Sequence, residues 1–176
     1  MRSIILDFET TGLLRPSVIA AEHQPRPIEF GAIVVADGKI EQEFNILINP
    51  QKPLDEVITK ITGITDEMLA GQPTFEAALP QIEPLFLGCD QMIAHNAEFD
   101  RGILFYALQR AGRHEDFPWP KKTVCTVEEY RHKFGRRMKL TQLYEHFVHK
   151  PLAQTHRALD DVKALHEALV AAGFNL

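Results

Sequence analysis

The chain has 176 residues, 45% of them hydrophobic, which suits one compact domain with a substantial core better than two. We therefore expect a single domain over residues 1–176. Its formal net charge of −5 argues against a protein that coats nucleic acid nonspecifically, since such proteins carry a broad basic surface.

The apolar segments are short. No stretch approaches the about 20 residues that a membrane-spanning helix needs, and residues 1–8 lack the long apolar core of a signal peptide. Only Cys89 and Cys125 are available for a disulfide. We expect no membrane association and a reducing cytoplasm as the setting.

The first third of the chain predicts three strands. A branched apolar run ends in the turn-prone Thr10-Thr11-Gly12, and residues 14–27, with three prolines, predict a long loop. Asp37-Gly38 is a strong hairpin signal between two further apolar runs. The pattern predicts an antiparallel meander with strands at residues 3–8, 28–36 and 40–48.

The remaining two thirds alternate helical patterns with short apolar runs. The short runs, at residues 91–94 and 123–127, predict two more strands. This order favours an α/β fold, a mixed sheet with helices on both faces. Helices are predicted at about residues 54–60, 74–87, 97–111, 126–134, 140–147 and 158–172.

Two acids stand at the end of the first strand. Alternate side chains of a strand share a face, so Asp7 and Glu9 point the same way. A lone pair of this kind is most often solvent-facing on an edge strand. Here the preceding residues 4–6 are apolar on both faces, as in a central strand. This favours a functional role for the pair.

A third acid, Asp100, opens the predicted helix at residues 97–111. Asn96 is a good N-cap residue, and Asp100 lies one turn before Leu104 on the apolar side of that helix. An acid can also simply stabilise the positive end of the helix dipole, but Glu98 is better placed for that task. We therefore expect Asp100 to face inward for function.

The last helix offers two adjacent acids. Its apolar face is set by Val162, Leu165 and Leu169. At about 100° per residue, Asp160 falls nearly opposite that face, whereas Asp161 falls at its edge. Asp161 is therefore the one predicted to reach a cleft beside the core.

These four carboxylates could share a pocket only by binding cations, because mutual repulsion would otherwise make some of them take up protons. His156 precedes Asp161 and could move a proton near neutral pH. Helical spacing does not define its direction, and a lone histidine there is more often a surface or capping residue. Together the five residues indicate metal-dependent phosphoryl transfer.

Positive charge is concentrated at residues 131–139, which carry five Lys or Arg and no acid. This basic segment could hold a phosphate backbone. It could equally be a solvated connection between helices, and the sequence does not decide between the two.

Five motifs in order resemble the DnaQ-like DEDDh exonucleases, a group similar to proofreading exonuclease domains and RNase T. The resemblance runs from Ile4 to about Leu169 and implies a ribonuclease H-like fold, a five-stranded mixed sheet whose first three strands are antiparallel. The motifs are DFETTGL (7–13), IEFGAIVV (28–35), ITGIT (61–65), AHNAEFD (94–100) and HRALDD (156–161).

The resemblance also implies roles. Two divalent cations, Mg²⁺ or Mn²⁺, would be bound by Asp7, Glu9, Asp100 and Asp161. His156 would be the general base, and the family's five-residue spacing again selects Asp161. Residues expected to contact the 3′ end are Thr10, Thr11, Gly12, Leu13, Asn96, Phe99 and Ile64. For Phe99 and Ile64 a core role is equally compatible.

The function expected is a 3′–5′ exonuclease that releases nucleoside 5′-monophosphates from single-stranded or frayed DNA, with a DNA polymerase as one candidate partner. An RNA-trimming enzyme is the first alternative, because the five residues do not separate the two substrates. A catalytically silent module that binds a 3′ end or a polymerase is the second, although none of the five residues is missing.

Overall fold

The computed structural model describes residues 1–176, and a single five-stranded mixed sheet organises it. The strands are β1 (Arg2–Thr10), β2 (Pro27–Ala36), β3 (Lys39–Leu47), β4 (Gln91–Ala94) and β5 (Lys122–Cys125). Their order is β3-β2-β1-β4-β5. The first three are antiparallel, while β4 pairs in parallel with β1 and β5. The predicted ribonuclease H-like sheet is confirmed.

Seven α-helices surround the sheet: α1 (Glu56–Thr62), α2 (Asp66–Leu69), α3 (Phe75–Ile82), α4 (Ala97–Arg110), α5 (Thr126–Phe134), α6 (Leu140–Val148) and α7 (Ala158–Ala171). Two 3₁₀ turns lie at Ala21–His23 and Glu83–Phe86. No helix is both long and apolar enough to span a membrane.

One helix prediction needs correction, and one short helix has no counterpart among the predictions. The helix expected over residues 74–87 is α-helical only to Ile82 and continues as a 3₁₀ turn, which contains Pro84, a residue without a backbone N–H to donate. The four-residue α2 was not predicted, because one turn is too short for a periodic pattern. It is started by Thr65, whose Oγ1 accepts from the N–H of Met68 at 3.3 Å.

The two faces of the sheet carry separate cores. Alternation along β1 sends Ile4, Leu6 and Phe8 towards α3 and α4, and Ile5 towards α6 and α7. All four side chains are at most 4% exposed. β1 is therefore the central, doubly covered strand that the sequence predicts.

The turn between β2 and β3 agrees with its sequence signal. Asp37 has φ +49° and Gly38 has φ +76°. Two successive residues with positive φ match the right-handed twist of a hairpin, which is why Asp-Gly is favoured there.

The predicted loop over residues 14–27 is ordered by the buried side chain of Gln24, which is 1% exposed. Its amide nitrogen donates to the carbonyl oxygens of Arg15, Pro16 and Ile19 at 3.2 to 3.3 Å. The loop also packs against α4, because Leu14 lies close to Gly102. A Cβ added to Gly102 would lie 2.6 Å from Cδ1 of Leu14. The loop is thus bound to the helix that carries Asp100.

Candidate active site

Asp7 and Glu9 lie where β1 extends beyond its neighbour. β1 pairs with β4 only from Ser3 to Ile5, whereas its pairing with β2 continues to Thr10. The two acids share the face of Ile5, towards α7, as strand alternation predicts. They therefore project at the carboxyl end of β1, beside the point where β4 ends.

Asp100 reaches the same place from the other layer of the fold. It is 1% exposed, and its Oδ1 accepts a hydrogen bond at 3.1 Å from the backbone N–H of Phe8, the residue between Asp7 and Glu9. β4 has already ended at that level, so the Asp100 carboxylate satisfies a donor that has no strand partner. The bond fixes Asp100 against the strand that carries the other two acids.

Asn96 occupies the predicted N-cap position of α4 but does not cap through its side chain. Its φ is +75° and it makes no capping hydrogen bond. Its Oδ1 instead accepts from Nη2 of Arg137 at 3.3 Å. Asn96 thus connects the basic segment, residues 131–139, to the start of α4.

The helix α7 begins directly above β2 because of Gly31. A Cβ at this position would lie 2.4 Å from the backbone nitrogen of Leu159, closer than any side chain allows. Gly31 pairs with Asp7 across the two strands. The missing side chain therefore lets the first turn of α7 descend beside the acids of β1.

This approach separates the two acids of α7 as helix geometry predicts. Asp161 is 7% exposed and faces the site, whereas Asp160 is exposed and accepts a hydrogen bond from Thr155 at 2.9 Å. The ligand atoms of Glu9, His156 and Asp161 all lie within 4.8 Å of one another. Asp7 and Asp100 are not part of that trio, but they adjoin it. The charge of Asp7 raises the pKa of Glu9, and the charges of Asp7 and Glu9 raise the pKa of Asp100.

Burial and crowding make the ionised forms of these acids unfavourable. Burial, with the charges of Asp161 and Glu29, raises the pKa of Asp7 to about 7. Burial, with Asp7 and Asp161, raises the pKa of Glu9 to about 9. The pKa of Asp100 is well above its usual range, mainly through burial.

At Asp161, the effect of burial on the pKa is partly offset by neighbouring groups. Burial raises its pKa, while a 2.6 Å hydrogen bond from the amide of Gln154 and the nearby His156 oppose that rise. None of the ion pairs in the molecule includes any of the four acids.

This donor set fits hard divalent cations, which prefer carboxylate oxygens. Four carboxylates that repel one another, without a Lys or Arg partner, are the arrangement that bound cations would relieve. The residues that could hold them are Asp7, Glu9, Asp100 and Asp161, with His156 at the open side of the group.

The site also contains a buried acid that sequence analysis missed. Glu29 lies opposite Glu9 in the β1–β2 pairing and is fully buried. Burial alone would raise its pKa, but hydrogen bonds and the charge of Arg157 lower it below its usual value. Its four donors are Arg157 Nε (2.9 Å), Arg157 Nη2 (2.7 Å), the Ala158 N–H (3.0 Å) and Asn45 Nδ2 (2.9 Å). An acid within the otherwise apolar β2 was the sequence signal that could have revealed it.

The turn after β1 is braced before any substrate arrives. The hydroxyl of Thr10 donates to the carbonyl of Gly12 at 2.7 Å. Thr11 exchanges two hydrogen bonds with Arg26, one through its N–H (2.9 Å) and one through its Oγ1 (3.0 Å). Leu13 is 83% exposed at the end of this turn. The turn thus presents an exposed apolar side chain four residues after Glu9.

The two remaining residues expected to contact the 3′ end, Ile64 and Phe99, differ in burial. Ile64 is fully buried in a small cluster with Ile28 and Leu69, so the structure favours its core alternative. Phe99 is half-buried and packs against the core of the α4 face.

The basic segment is held beside the site. His95 bonds through Nδ1 to Thr126 Oγ1 at 2.9 Å and through Nε2 to the carbonyl of Met138 at 3.0 Å. Arg137 pairs with Glu128 at 3.0 Å in addition to Asn96. A cleft of about 650 Å³ begins at Asn96 and is lined by α4, Trp119, Lys121 and Arg137.

Comparisons with known proteins identify the family of the chain. The RNase T exonuclease family model matches residues 4–169. The chain is 33% identical over 165 residues to the 3′-5′ exonuclease DinG of Bacillus subtilis, covering 92% of this chain and 16% of that one. It is 31% identical over 166 residues to the PolC-type DNA polymerase III of Clostridium perfringens, covering 94% and 11%.

A solved structure shares the fold. The nuclease domain of a 3′-exonuclease of the DEDDh family, bound to rAMP, aligns with a TM-score of 0.77 at 21% identity, covering 99% of this chain and 94% of that one. The chain spans at most about a quarter of the length of the curated relatives that it matches. It belongs to the RNase T exonuclease family and, within it, to the DnaQ-like DEDDh group that its motifs resemble.

Proposed function

We propose that the protein is a metal-dependent 3′–5′ exonuclease that hydrolyses DNA from its 3′ end and releases nucleoside 5′-monophosphates. One observation carries the proposal: four carboxylates without a cationic partner converge at the carboxyl end of β1, and His156 stands within 4.8 Å of two of them. Two cations, Mg²⁺ or Mn²⁺, would be held by Asp7, Glu9, Asp100 and Asp161. When bound, such cations polarise a phosphoryl group and acidify water.

His156 acts as the general base. Its exposed imidazole takes a proton from the attacking water while the water oxygen bonds to phosphorus and the bond from phosphorus to the 3′-oxygen breaks. The leaving 3′-oxygen stays with the shortened strand, and the phosphate stays on the released nucleotide. General-base catalysis contributes about 10²- to 10⁴-fold in rate.

The substrate strand reaches the acids past the turn at Thr10–Leu13. The exposed Leu13 contacts the terminal base, and the braced backbone of Gly12 holds the nucleotide. Upstream phosphates lie along the basic segment, since Arg137 is bonded to Asn96 at the edge of the site. Glu128 pairs with both Arg131 and Arg137, so part of the positive charge of this segment is already neutralised within the protein.

DNA is the leading substrate, because a PolC-type DNA polymerase contains a similar domain within its longer chain. The same relative supports a DNA polymerase as partner, which co-elution of the two proteins would test. An RNA 3′ end is the alternative, favoured by the rAMP bound to the structural neighbour.

The test uses three 5′-labelled substrates: single-stranded DNA, a duplex with a mispaired 3′ end, and RNA of matching sequence. Each is incubated with Mg²⁺, with Mn²⁺ and with chelator. The proposal predicts a metal-dependent ladder that shortens from the 3′ end, fastest on DNA. End binding without a ladder under every metal condition would instead support the silent module.

Adjacent acids on α7 provide a matched pair of variants. Asp161→Asn should lower the rate by more than about 100-fold, since even outer-shell partners of a metal contribute about 10- to 100-fold. Asp160→Asn keeps an oxygen for Thr155 on the exposed side and should stay close to wild type. Equal rates for the two variants would contradict the site assignment.

A further inference from the structure

The segment that carries His156 is fastened on both sides of that residue. On the amino side, Gln154 donates to Asp161 at 2.6 Å. On the carboxyl side, Arg157 donates through two nitrogens to Glu29, at 2.9 and 2.7 Å, and the N–H of Ala158 donates to the same carboxylate at 3.0 Å. Three of the four neighbours nearest to His156 are therefore held by buried acceptors.

His156 itself has a backbone that needs such support. Its φ is +52°, in the left-handed region that is unfavourable for a residue with a side chain. A residue in this region persists only when its surroundings over-determine it, and such residues cluster at active sites. Fastening the chain before and after His156 holds it in this conformation while leaving its imidazole exposed.

The carboxyl-side anchor is the stronger of the two. Glu29 is fully buried, lies near the start of the interior strand β2, and accepts two hydrogen bonds from the Arg157 guanidinium. A lysine could not reproduce it, because an ammonium group lacks the flat fork of a guanidinium. The same carboxylate stands at the first turn of α7, where it satisfies an N–H that has no partner within the helix.

We infer that Glu29 and Arg157 are positioning residues for the reaction, which hold His156 beside Glu9 and Asp161, where its imidazole can take a proton from the attacking water. This inference rests on the proposed exonuclease function. The hydrogen bonds of Arg157 go to Glu29, and in this role it does not need to touch the reacting phosphate or the attacking water. It acts on the rate only through His156, because a small displacement of a catalytic group lowers the rate steeply.

A double-mutant cycle separates this role from others. The substrate is the p-nitrophenyl ester of thymidine 5′-monophosphate, which is too small to reach the basic segment. Arg157→Lys should lower kcat by about 10- to 100-fold, the loss expected from a displacement of about 1 Å, with KM unchanged. In the His156→Ala background, Arg157→Lys should have no further effect, because the group that it positions is gone.

Glu29→Gln provides a second variant that keeps one oxygen for the N–H of Ala158. It should reproduce the loss of kcat and the same absence of effect in the His156→Ala background. Arg113→Lys is the matched control, since Arg113 also donates twice to one glutamate, Glu83, at 3.2 and 2.8 Å, but far from the site. It should leave kcat at the wild-type value.

Each outcome decides the inference. Three results would overturn the inference. The first is a loss of kcat that multiplies with the loss caused by His156→Ala. The others are a raised KM and wild-type rates for Arg157→Lys and Glu29→Gln. If Arg157 and Glu29 only stabilised the fold, their variants would lower the fraction of folded enzyme, which circular dichroism and Mn²⁺ binding measure. A loss of kcat that matches the loss of folded enzyme would also overturn the inference. A wild-type enzyme without metal-dependent hydrolysis would contradict the proposed function instead.

Discussion

Glu9 and Glu29 face each other across β1 and β2, yet the protein treats these two acids in opposite ways. Glu29 accepts four hydrogen bonds, two of them from the Arg157 guanidinium, and its pKa is lowered. Glu9, one strand away, is surrounded by other acids, and its pKa rises to about 9. Arg157 lies close enough to lower the pKa of Glu9 a little, but its hydrogen bonds go to Glu29.

The opposite pKa shifts of Glu9 and Glu29 distinguish an acid that could bind a metal ion from one that is paired within the protein. A buried acid that binds no cation is expected to be paired within the protein, as Glu29 is with Arg157. A group of buried acids left without cations destabilises the metal-free protein, and such perturbed groups cluster at functional sites. Glu29 is paired with the guanidinium of Arg157, whereas Glu9 has no Lys or Arg partner and is left free to bind a metal ion.

The largest expected effect comes from removing the paired acid. Glu29→Ala should destabilise the protein by about 3–5 kcal/mol, because it leaves the partner charge and the N–H of Ala158 without an acceptor. Glu9→Ala should instead raise the urea midpoint of the metal-free protein at pH 8, since it removes a buried carboxyl group that folding forces to take up a proton at this pH. The measurement is urea unfolding in chelator, and destabilisation by both variants would break the comparison.

The close approach of α7 to β2 gives the next effect. Gly31→Ala should destabilise the protein by about 1–3 kcal/mol and lower the rate, because the added carbon meets rigid backbone. Gly102→Ala is the matched control: its new carbon meets only the flexible end of Leu14, and alanine favours a helix by about 1 kcal/mol. Thermal unfolding of both variants checks the contrast, and equal losses would contradict it.

The smallest effect is on pH dependence. The folded-state pKa values of Asp7, about 7, and Glu9, about 9, lie above the unfolded values of about 4. The folded state therefore binds more protons, and the stability contributed by these groups is present in full below about pH 4 and is lost as the pH rises through 7 and 9.

In chelator, the melting temperature should consequently fall between about pH 5 and pH 9. Glu29 contributes the opposite slope, but only at lower pH, because its folded pKa is depressed. Differential scanning calorimetry of wild type and Glu9→Gln checks this, with a shallower fall expected for the variant. A melting temperature that rises over this range would rule out the electrostatic account.

Sequence patterns predicted the parts of the site that depend on local periodicity. Strand alternation paired Asp7 with Glu9, and helix geometry separated Asp161 from Asp160, because both follow from neighbours within a few residues. The partnership of Glu29 with Arg157 spans 128 residues, and no local pattern encodes it. The bond from the Phe8 N–H to Asp100 likewise depends on β4 ending early, which only the assembled sheet reveals.

The two glutamates also provide the most direct test of the central claim, that the unpaired acids bind divalent cations. Isothermal titration with Mn²⁺ should give two bound ions for the wild type. Glu9→Gln should lose at least one of them, while Glu29→Gln, measured at a temperature where it is folded, should retain both. No Mn²⁺ binding by the wild type, or equal binding by wild type and Glu9→Gln, would contradict the account.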